Sequence, residues 1–261
     1  MLRKLLICGL VAGLCGGLLA TGFVSLAGEP AVDRAIAYED ARDRAPAAMP
    51  GVRHETAAPA PVSRSLQKSA GLLTAGLVYG LALGGAFALA FALAYGRVVR
   101  AGPRATAYGL AAAAFTVVYL VPFLKYPASP PAATDPSTIG RRTALYATMI
   151  AISVLAAVAA SRLRPALERR FDAHAANLGA GLAFLVVVVA AGLALPAVNE
   201  IPKDFPATTL WRFREASVGM QAVLWLTIGL VFAPIAQRAM SGQPIIPRRA
   251  ARRRVPAGAG D

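Results

Sequence analysis

The chain has 261 residues, of which 57% are hydrophobic and only 15% are charged. Its mean hydropathy of +0.56 is higher than a water-soluble domain of this size needs, which argues against a soluble enzyme. The formal net charge of +14 lies between apolar stretches and in an Arg-rich tail, a distribution that suits membrane orientation better than nucleic-acid binding.

Six apolar stretches divide the chain, and each is long enough to cross a hydrocarbon core as a helix. Helices are expected because lipid offers no hydrogen-bond partners to backbone N–H and C=O groups. The sequence therefore predicts an all-α fold, a polytopic integral membrane helix bundle with six transmembrane helices. The stretches lie at about Leu5–Leu26, Ala70–Tyr95, Ala105–Leu124, Thr143–Ala160, Asn177–Val198 and Ala216–Ala236.

The first stretch has two interpretations. Basic residues precede it and small residues follow it, as in a cleavable signal peptide, and cleavage would leave five helices. Retention is favoured by glycines at four-residue spacing, because such small faces let two helices approach closely. The first stretch carries Gly9, Gly13 and Gly17, and the second carries Gly76, Gly80 and Gly84. We predict that these two glycine faces pack against each other.

The chain is predicted to have four parts. Residues 1–28 form the first transmembrane helix or a signal anchor, and residues 29–68 form an extracytoplasmic loop rich in charge and proline, which is either largely disordered or carries one short helix near Asp33–Arg44. Residues 69–237 form a five-helix membrane domain, and residues 238–261 form a basic tail that we expect to be disordered. The Arg-rich tail and the acid-rich first loop favour cytoplasmic N- and C-termini in a cell-membrane protein.

Two polar segments carry most of the residues that could perform chemistry. The first runs from Pro122 to Arg142 and the second from Leu195 to Arg214. Each begins where an apolar stretch stops at a proline, passes further prolines and an aspartate, and re-enters an apolar stretch. With six helices, both segments fall on the same side of the membrane. Their prolines lack N–H donors and stiffen the backbone, so carbonyl oxygens are left for other partners.

The acids and the amide of these segments form a candidate cation site. Asn199, Glu200 and Asp204 are close in sequence, and Asp135 from the other segment could join them. Oxygen donors of this kind suit a hard or borderline divalent cation. The alternative is ordinary capping and ion pairing, with the acids bound to Lys125, Lys203, Arg212 and Arg214. His54 in the first loop is a weak further candidate, because one histidine beside one glutamate falls far short of a zinc site.

Several stretches in fixed order resemble the CbtA family of predicted cobalt transporter subunits. They include PFLKYPASPP and DPSTIGRRT from the first segment, and NEIPKDFPATTLWRFR with the following AS-V-G-M-Q from the second. The resemblance extends from Leu5 to about Ala236. It is specific, because two long proline-containing motifs at this spacing seldom coincide by chance.

The resemblance implies a membrane subunit of a Co²⁺ uptake transporter that serves cobalamin supply. It also implies a small single-helix partner, CbtB-like, with a histidine-rich metal-binding end; relatives often carry several histidines in the first outer loop, where this chain has His54 alone. We expect no enzymatic activity, no tightly bound cofactor and no nucleic-acid partner. Co²⁺ is the expected substrate, and the lipid bilayer is the expected surroundings. The alternatives are a non-transporting scaffold for the metal-binding subunit, or a permease for nickel or a corrinoid.

Overall fold

The computed structural model describes residues 1–47, 66–97, 101–130, 133–134 and 136–241, and these contain helices and no β-strand. Asp135, His54 and most of the basic tail therefore lie outside the described residues. Helix α1 is Leu2–Ala27, α2 is Glu29–Ala47, α3 is Leu72–Ala94, α4 is Pro103–Lys125, α5 is Ile139–Leu167, α6 is Ala173–Ala194 and α7 is Ala207–Met240.

Six of these helices are long and apolar enough to cross a membrane, which confirms the predicted all-α membrane bundle. Their ends differ from the predicted ends where polar residues continue a helix or a proline stops it. Helix α7 begins at Ala207 and α5 continues to Leu167, because hydropathy marks only the part of a helix that lipid surrounds. Helix α6 ends at Ala194, before Val198, since Leu195 precedes Pro196 and is extended.

Helices α1 and α3 pack through their glycines, as predicted. Gly13 faces Gly80 so closely that a Cβ atom on either residue would overlap the carbonyl oxygen of the other. The pairs Gly9–Gly84 and Gly17–Gly76 repeat this contact one turn away in each direction. No side chain fits between the two backbones at these levels, so the four-residue spacing sets the register of the helix pair.

The core of the bundle lies where α7 joins this pair. Cys8 and Ala12 of α1, Phe91 of α3, and Leu224 and Ile228 of α7 are all almost fully buried there. Helix α4 packs on the other side of α7, and α5 and α6 pair with each other at the periphery. The outer face of α6 exposes large apolar side chains to the bilayer, namely Leu178, Leu182, Leu185, Val186, Val189 and Leu193.

In the first loop, residues Glu29–Ala47 form helix α2, so of the two alternatives for this loop the structure has the helix, and it is longer than expected. It lies over the two proline-containing segments. Ala35 of α2 is buried with Ala133 of the first segment and Phe205 of the second. The rings of Tyr38 and Phe205 meet edge to face with centroids 5.0 Å apart. The first loop therefore helps to hold the two segments in place.

Candidate functional site

The two proline-containing segments touch each other, which confirms that they share one side of the bundle. The Tyr126 hydroxyl of the first segment donates a 2.9 Å hydrogen bond to the carbonyl oxygen of Pro196 in the second. The Arg214 guanidinium donates through Nε to the carbonyl oxygen of Ala128 at 3.3 Å. Two of the carbonyls that the prolines leave without ladder partners are thus occupied by side chains.

A cavity of about 970 Å³ opens between the segments. The end of α4, the first turns of α5 and the start of the second segment form its walls, and Arg214 of α7 also lines it. The cavity extends below the segments, because Tyr146 and Ile150 of α5 also line it. Its polar and charged lining consists of Lys125, Tyr126, Ser129, Thr134, Arg142, Thr143, Tyr146, Asn199, Glu200 and Arg214.

Glu200 has the most defined surroundings of the predicted site residues. Its Oε2 accepts a 2.7 Å hydrogen bond from the Thr138 hydroxyl and lies 3.4 Å from Nε of Arg142. Arg142 Nε also donates to the Thr138 hydroxyl oxygen at 3.2 Å. The side chains of Arg142 and Glu200 are 27% and 21% exposed, so water screens this ion pair less than it screens a surface pair.

Asn199 and Glu200 are brought together in the cavity lining, but Asp204 is not part of it. Asp204 is exposed beside α2, where its carboxylate interacts with the Tyr38 hydroxyl. This interaction, with smaller contributions from a backbone hydrogen bond and from Arg42, holds the pKa of Asp204 below its usual range. The same interaction raises the pKa of Tyr38, and Arg42 opposes that rise. The Tyr38 hydroxyl is buried and forms no hydrogen bond of good geometry with any described residue. We therefore interpret its contact with Asp204 as a loose one.

The alternative prediction is that Lys125, Lys203, Arg212 and Arg214 pair the acids of the two segments, and the structure has different pairs. Glu200 is paired by Arg142, whereas Arg212 pairs with Glu215 at 3.3 Å on the exposed surface of α7. The charged side chains that line the cavity are three basic ones, Lys125, Arg142 and Arg214, and one carboxylate. In the described part of the chain, no three His, Cys, Asp or Glu residues gather as metal ligands. A cation here would need mixed oxygen donors.

Sequence reasoning missed Thr138 and Arg142 as partners of Glu200. The four-residue spacing of this pair on an entering helix was a usable signal, since it places both side chains on one face. It also missed polar side chains inside the apolar stretches. Tyr119 and Gln221 are buried there, and each has a hydrogen-bond partner on another helix.

The family model described as "Probable cobalt transporter subunit (CbtA)" matches residues 2–237 of the chain. The match therefore includes α2, both segments that form the cavity, and the six membrane helices except the last three residues of α7. No curated protein and no solved structure matches the chain significantly.

Proposed function

Because the chain belongs to the CbtA family of probable cobalt transporter subunits, we propose that it carries Co²⁺ inward across the cytoplasmic membrane, through the cavity between its two proline-containing segments. In this proposal the segments face outward, and both termini are cytoplasmic. The cavity is the main observation that supports this proposal. It lies where α4 ends and α5 begins, and most of its lining residues belong to the motifs on which the family resemblance rests.

Glu200 and Asn199 are the proposed entry ligands in the cavity. When no cation is bound, Arg142 neutralises the charge of the Glu200 carboxylate and Thr138 donates a hydrogen bond to it. An arriving cation would take the place of Arg142, and this exchange keeps binding weak enough for release. Asp204, together with Asp135 and His54 outside the described residues, would attract the cation at the approach to the cavity.

The membrane potential is the proposed driving force. It is worth about 2.3 kcal/mol per charge per 100 mV, and hence about 4.6 kcal/mol per 100 mV for a divalent cation. The sequence contains no Gly-rich P-loop for ATP. A small single-helix subunit with clustered histidines would supply the imidazole ligands that the cavity lining lacks, and cobalamin synthesis would use the imported metal.

A second candidate is favoured by the basic lining of the cavity. Three basic side chains and one paired carboxylate would also suit a cobalt chelate that carries acidic groups, or a corrinoid. The volume of about 970 Å³ is also larger than a hydrated ion needs.

Uptake into proteoliposomes under an inside-negative potential tests these proposals. The chain is reconstituted alone and with its small partner, and radioactive Co²⁺, Ni²⁺ and a cobalt corrinoid are offered separately. Uptake of Co²⁺ above empty vesicles supports the proposal. Uptake of the corrinoid alone supports the second candidate. If only the partner moves the metal, the chain is a scaffold and the proposed function is wrong.

A further inference from the structure

Five polar side chains lie near one another at one level of the membrane part of the bundle, below the cavity; Tyr119 and Gln221 are buried, and Tyr79 is 41% exposed. They come from four transmembrane helices, and none of them is a carboxylate or a base. Tyr119 lies six residues before the end of α4, and Tyr146 lies seven residues after the start of α5, both about 10 Å along their helices. We call this set the polar layer: Tyr79 of α3, Tyr119 of α4, Tyr146 of α5, and Ser217 and Gln221 of α7.

Hydrogen bonds connect the polar layer across helices. The hydroxyls of Tyr119 and Ser217 are 2.9 Å apart, and Gln221 Nε2 donates to the Tyr79 hydroxyl at 3.0 Å. Ser217 and Gln221 are one turn apart on α7, and so lie on the same face. Tyr146 of α5 lies near both Tyr119 and Tyr79. The four helices thus direct hydroxyl and amide oxygens toward one region.

One strong acceptor in this layer is unused. Gln221 is only 8% exposed, and its Oε1 is buried without a hydrogen-bond partner among the described residues. A buried acceptor left in this state costs stability, because it has lost its hydrogen bonds to water. The cost is avoidable, since a leucine or methionine would fill the same space in an apolar bundle. An unused amide oxygen inside the membrane therefore indicates a ligand that accepts oxygen donors.

The polar layer lies directly below the cavity, and packed aromatic rings lie on its other side. Tyr146 belongs both to the layer and to the cavity lining, so the two are contiguous. One turn beyond Gln221 on α7 is Trp225, whose ring faces Phe87 of α3 at 6.5 Å, and Phe87 meets Phe232 at 5.0 Å. These rings are almost fully buried and close the bundle beyond the layer.

The backbone of α4 is irregular at the same level. Residues Phe115–Leu120 form a π-helical stretch, and Tyr119 is within it. Ser153 of α5 donates a 2.7 Å hydrogen bond to the carbonyl oxygen of Val117, which holds the irregular stretch against its neighbour. Short π-helical stretches interrupt α-helices most often at functional sites, because they turn a side chain out of the regular helical register.

From these observations we propose that the polar layer is an intramembrane binding site for the transported divalent cation, centred on Oε1 of Gln221. This inference rests on the proposed function and adds a second cation-binding site along the transport path. Amide and hydroxyl oxygens are ligands that hard and borderline divalent cations accept. A neutral site binds such an ion weakly while the ion keeps part of its water, and conduction requires weak binding at successive sites. Glu200 in the cavity captures the ion, and the polar layer receives it.

The competing account is that these residues only hold the helices together. Hydrogen bonds between transmembrane helices contribute modestly to the stability of a bundle. On that account, substitutions change the stability of the bundle and not the affinity for metal. Tyr119→Phe and Gln221→Leu each remove the oxygen and keep the apolar bulk. Tyr108→Phe is the matched control, because Tyr108 is on the same helix as Tyr119 and is 44% exposed beside an apolar groove.

The fluorescence of Trp225, which lies one turn from Gln221, reports metal binding independently of transport. In a Trp211→Phe background Trp225 is the only tryptophan, and bound Co²⁺ quenches its emission. We expect saturable quenching in this parent, and at least a tenfold higher half-saturation in Gln221→Leu. Tyr108→Phe should match the parent. Gln221→Glu places a carboxylate in the layer, so it should lower the half-saturation for Co²⁺ and slow release in uptake assays.

The two readouts separate this inference from the proposed function. Saturable quenching that Gln221→Leu weakens, in protein that moves no Co²⁺, would support the site and overturn the proposed function. Transport by the parent with identical quenching curves in the parent, Gln221→Leu and Gln221→Glu would overturn the site and leave the proposed function standing. Equal transport per folded molecule in all variants would also overturn the site.

Discussion

Glu200→Gln tests whether the cavity carboxylate serves transport or only structure. Glutamine keeps the size of the side chain, and its Oε1 can still accept the hydrogen bond from Thr138. The change removes the ion pair with Arg142, whose closest atoms are 3.4 Å apart. Exposed ion pairs contribute up to about 1 kcal/mol, and loss of one partner of a fully buried pair costs about 3–5 kcal/mol. With roughly a fifth to a quarter of each side chain exposed, we expect a loss of about 1–2 kcal/mol.

A loss of that size leaves a membrane bundle folded, so transport per folded molecule can be measured. We expect Co²⁺ uptake at limiting metal to fall at least tenfold, which corresponds to about 1.4 kcal/mol of lost ion binding. Uptake should recover in part at high Co²⁺, since the substitution weakens capture and leaves the rest of the path intact. The assay is initial uptake into proteoliposomes, normalised to the monodisperse protein incorporated.

Glu215→Gln is the matched control. It makes the same chemical change in an exposed ion pair on α7, where Arg212 and Glu215 are 65% and 45% exposed. We expect wild-type uptake and less than about 1 kcal/mol of lost stability in this variant. Normal uptake in Glu200→Gln at limiting Co²⁺, or uptake that falls only in proportion to folded protein, would refute the assignment of Glu200 as an entry ligand.

Three further predictions concern the bundle and its outer face. Cysteine at Ser129, in a background without the two native cysteines, should react with an impermeant thiol reagent in intact cells; reaction only after lysis would reverse the topology. Gly80→Leu should sharply lower the yield and melting temperature of the protein, because Gly13 leaves no space for a side chain, whereas Gly109→Leu should be tolerated since nothing lies near that position; equal yields would contradict the close helix contact. Because the pKa of Asp204 is lowered, its carboxylate stabilises the docking of α2 fully above the unfolded pKa of about 3.9, and this stabilisation is lost as the pH falls through the folded pKa. Tyr38→Phe should therefore raise the pKa of Asp204 toward about 3.9 in an NMR titration. An unchanged pKa would exclude the contact with Tyr38 as the cause of the lowered value.

The helix bundle could be predicted from sequence because its determinants are local. Apolar length marks each span, and glycine at every fourth position marks one close face. Each signal can be read within one stretch of chain. The glycine face that contains Gly13 and the one that contains Gly80 were each visible separately, and each had only one other glycine face to pack against. The ends of the helices were less predictable, since α7 continues through polar residues that hydropathy assigns to a loop.

The site was predicted only in part because its contacts are long-range. Glu200 and Asp204 are four residues apart, but the proline-bent segment directs one to Arg142 of α5 and the other to Tyr38 of α2. Neither partner can be identified from spacing, because the pairing depends on how distant helices assemble. The unused oxygen of Gln221 is also a tertiary property, since it depends on which side chains three other helices bring to that level.

Blocking the cavity shows whether Co²⁺ passes between the two segments. Cysteine at Ser129 lies in the cavity lining, and a bulky thiol reagent attached there would obstruct the space between the two segments. Radioactive Co²⁺ uptake is measured in proteoliposomes under an inside-negative potential, before and after modification, with cysteine at the lipid-exposed Leu193 as control. The account predicts potential-dependent uptake in both variants and its loss on modification only at Ser129. Uptake that continues unchanged with the cavity blocked would contradict it.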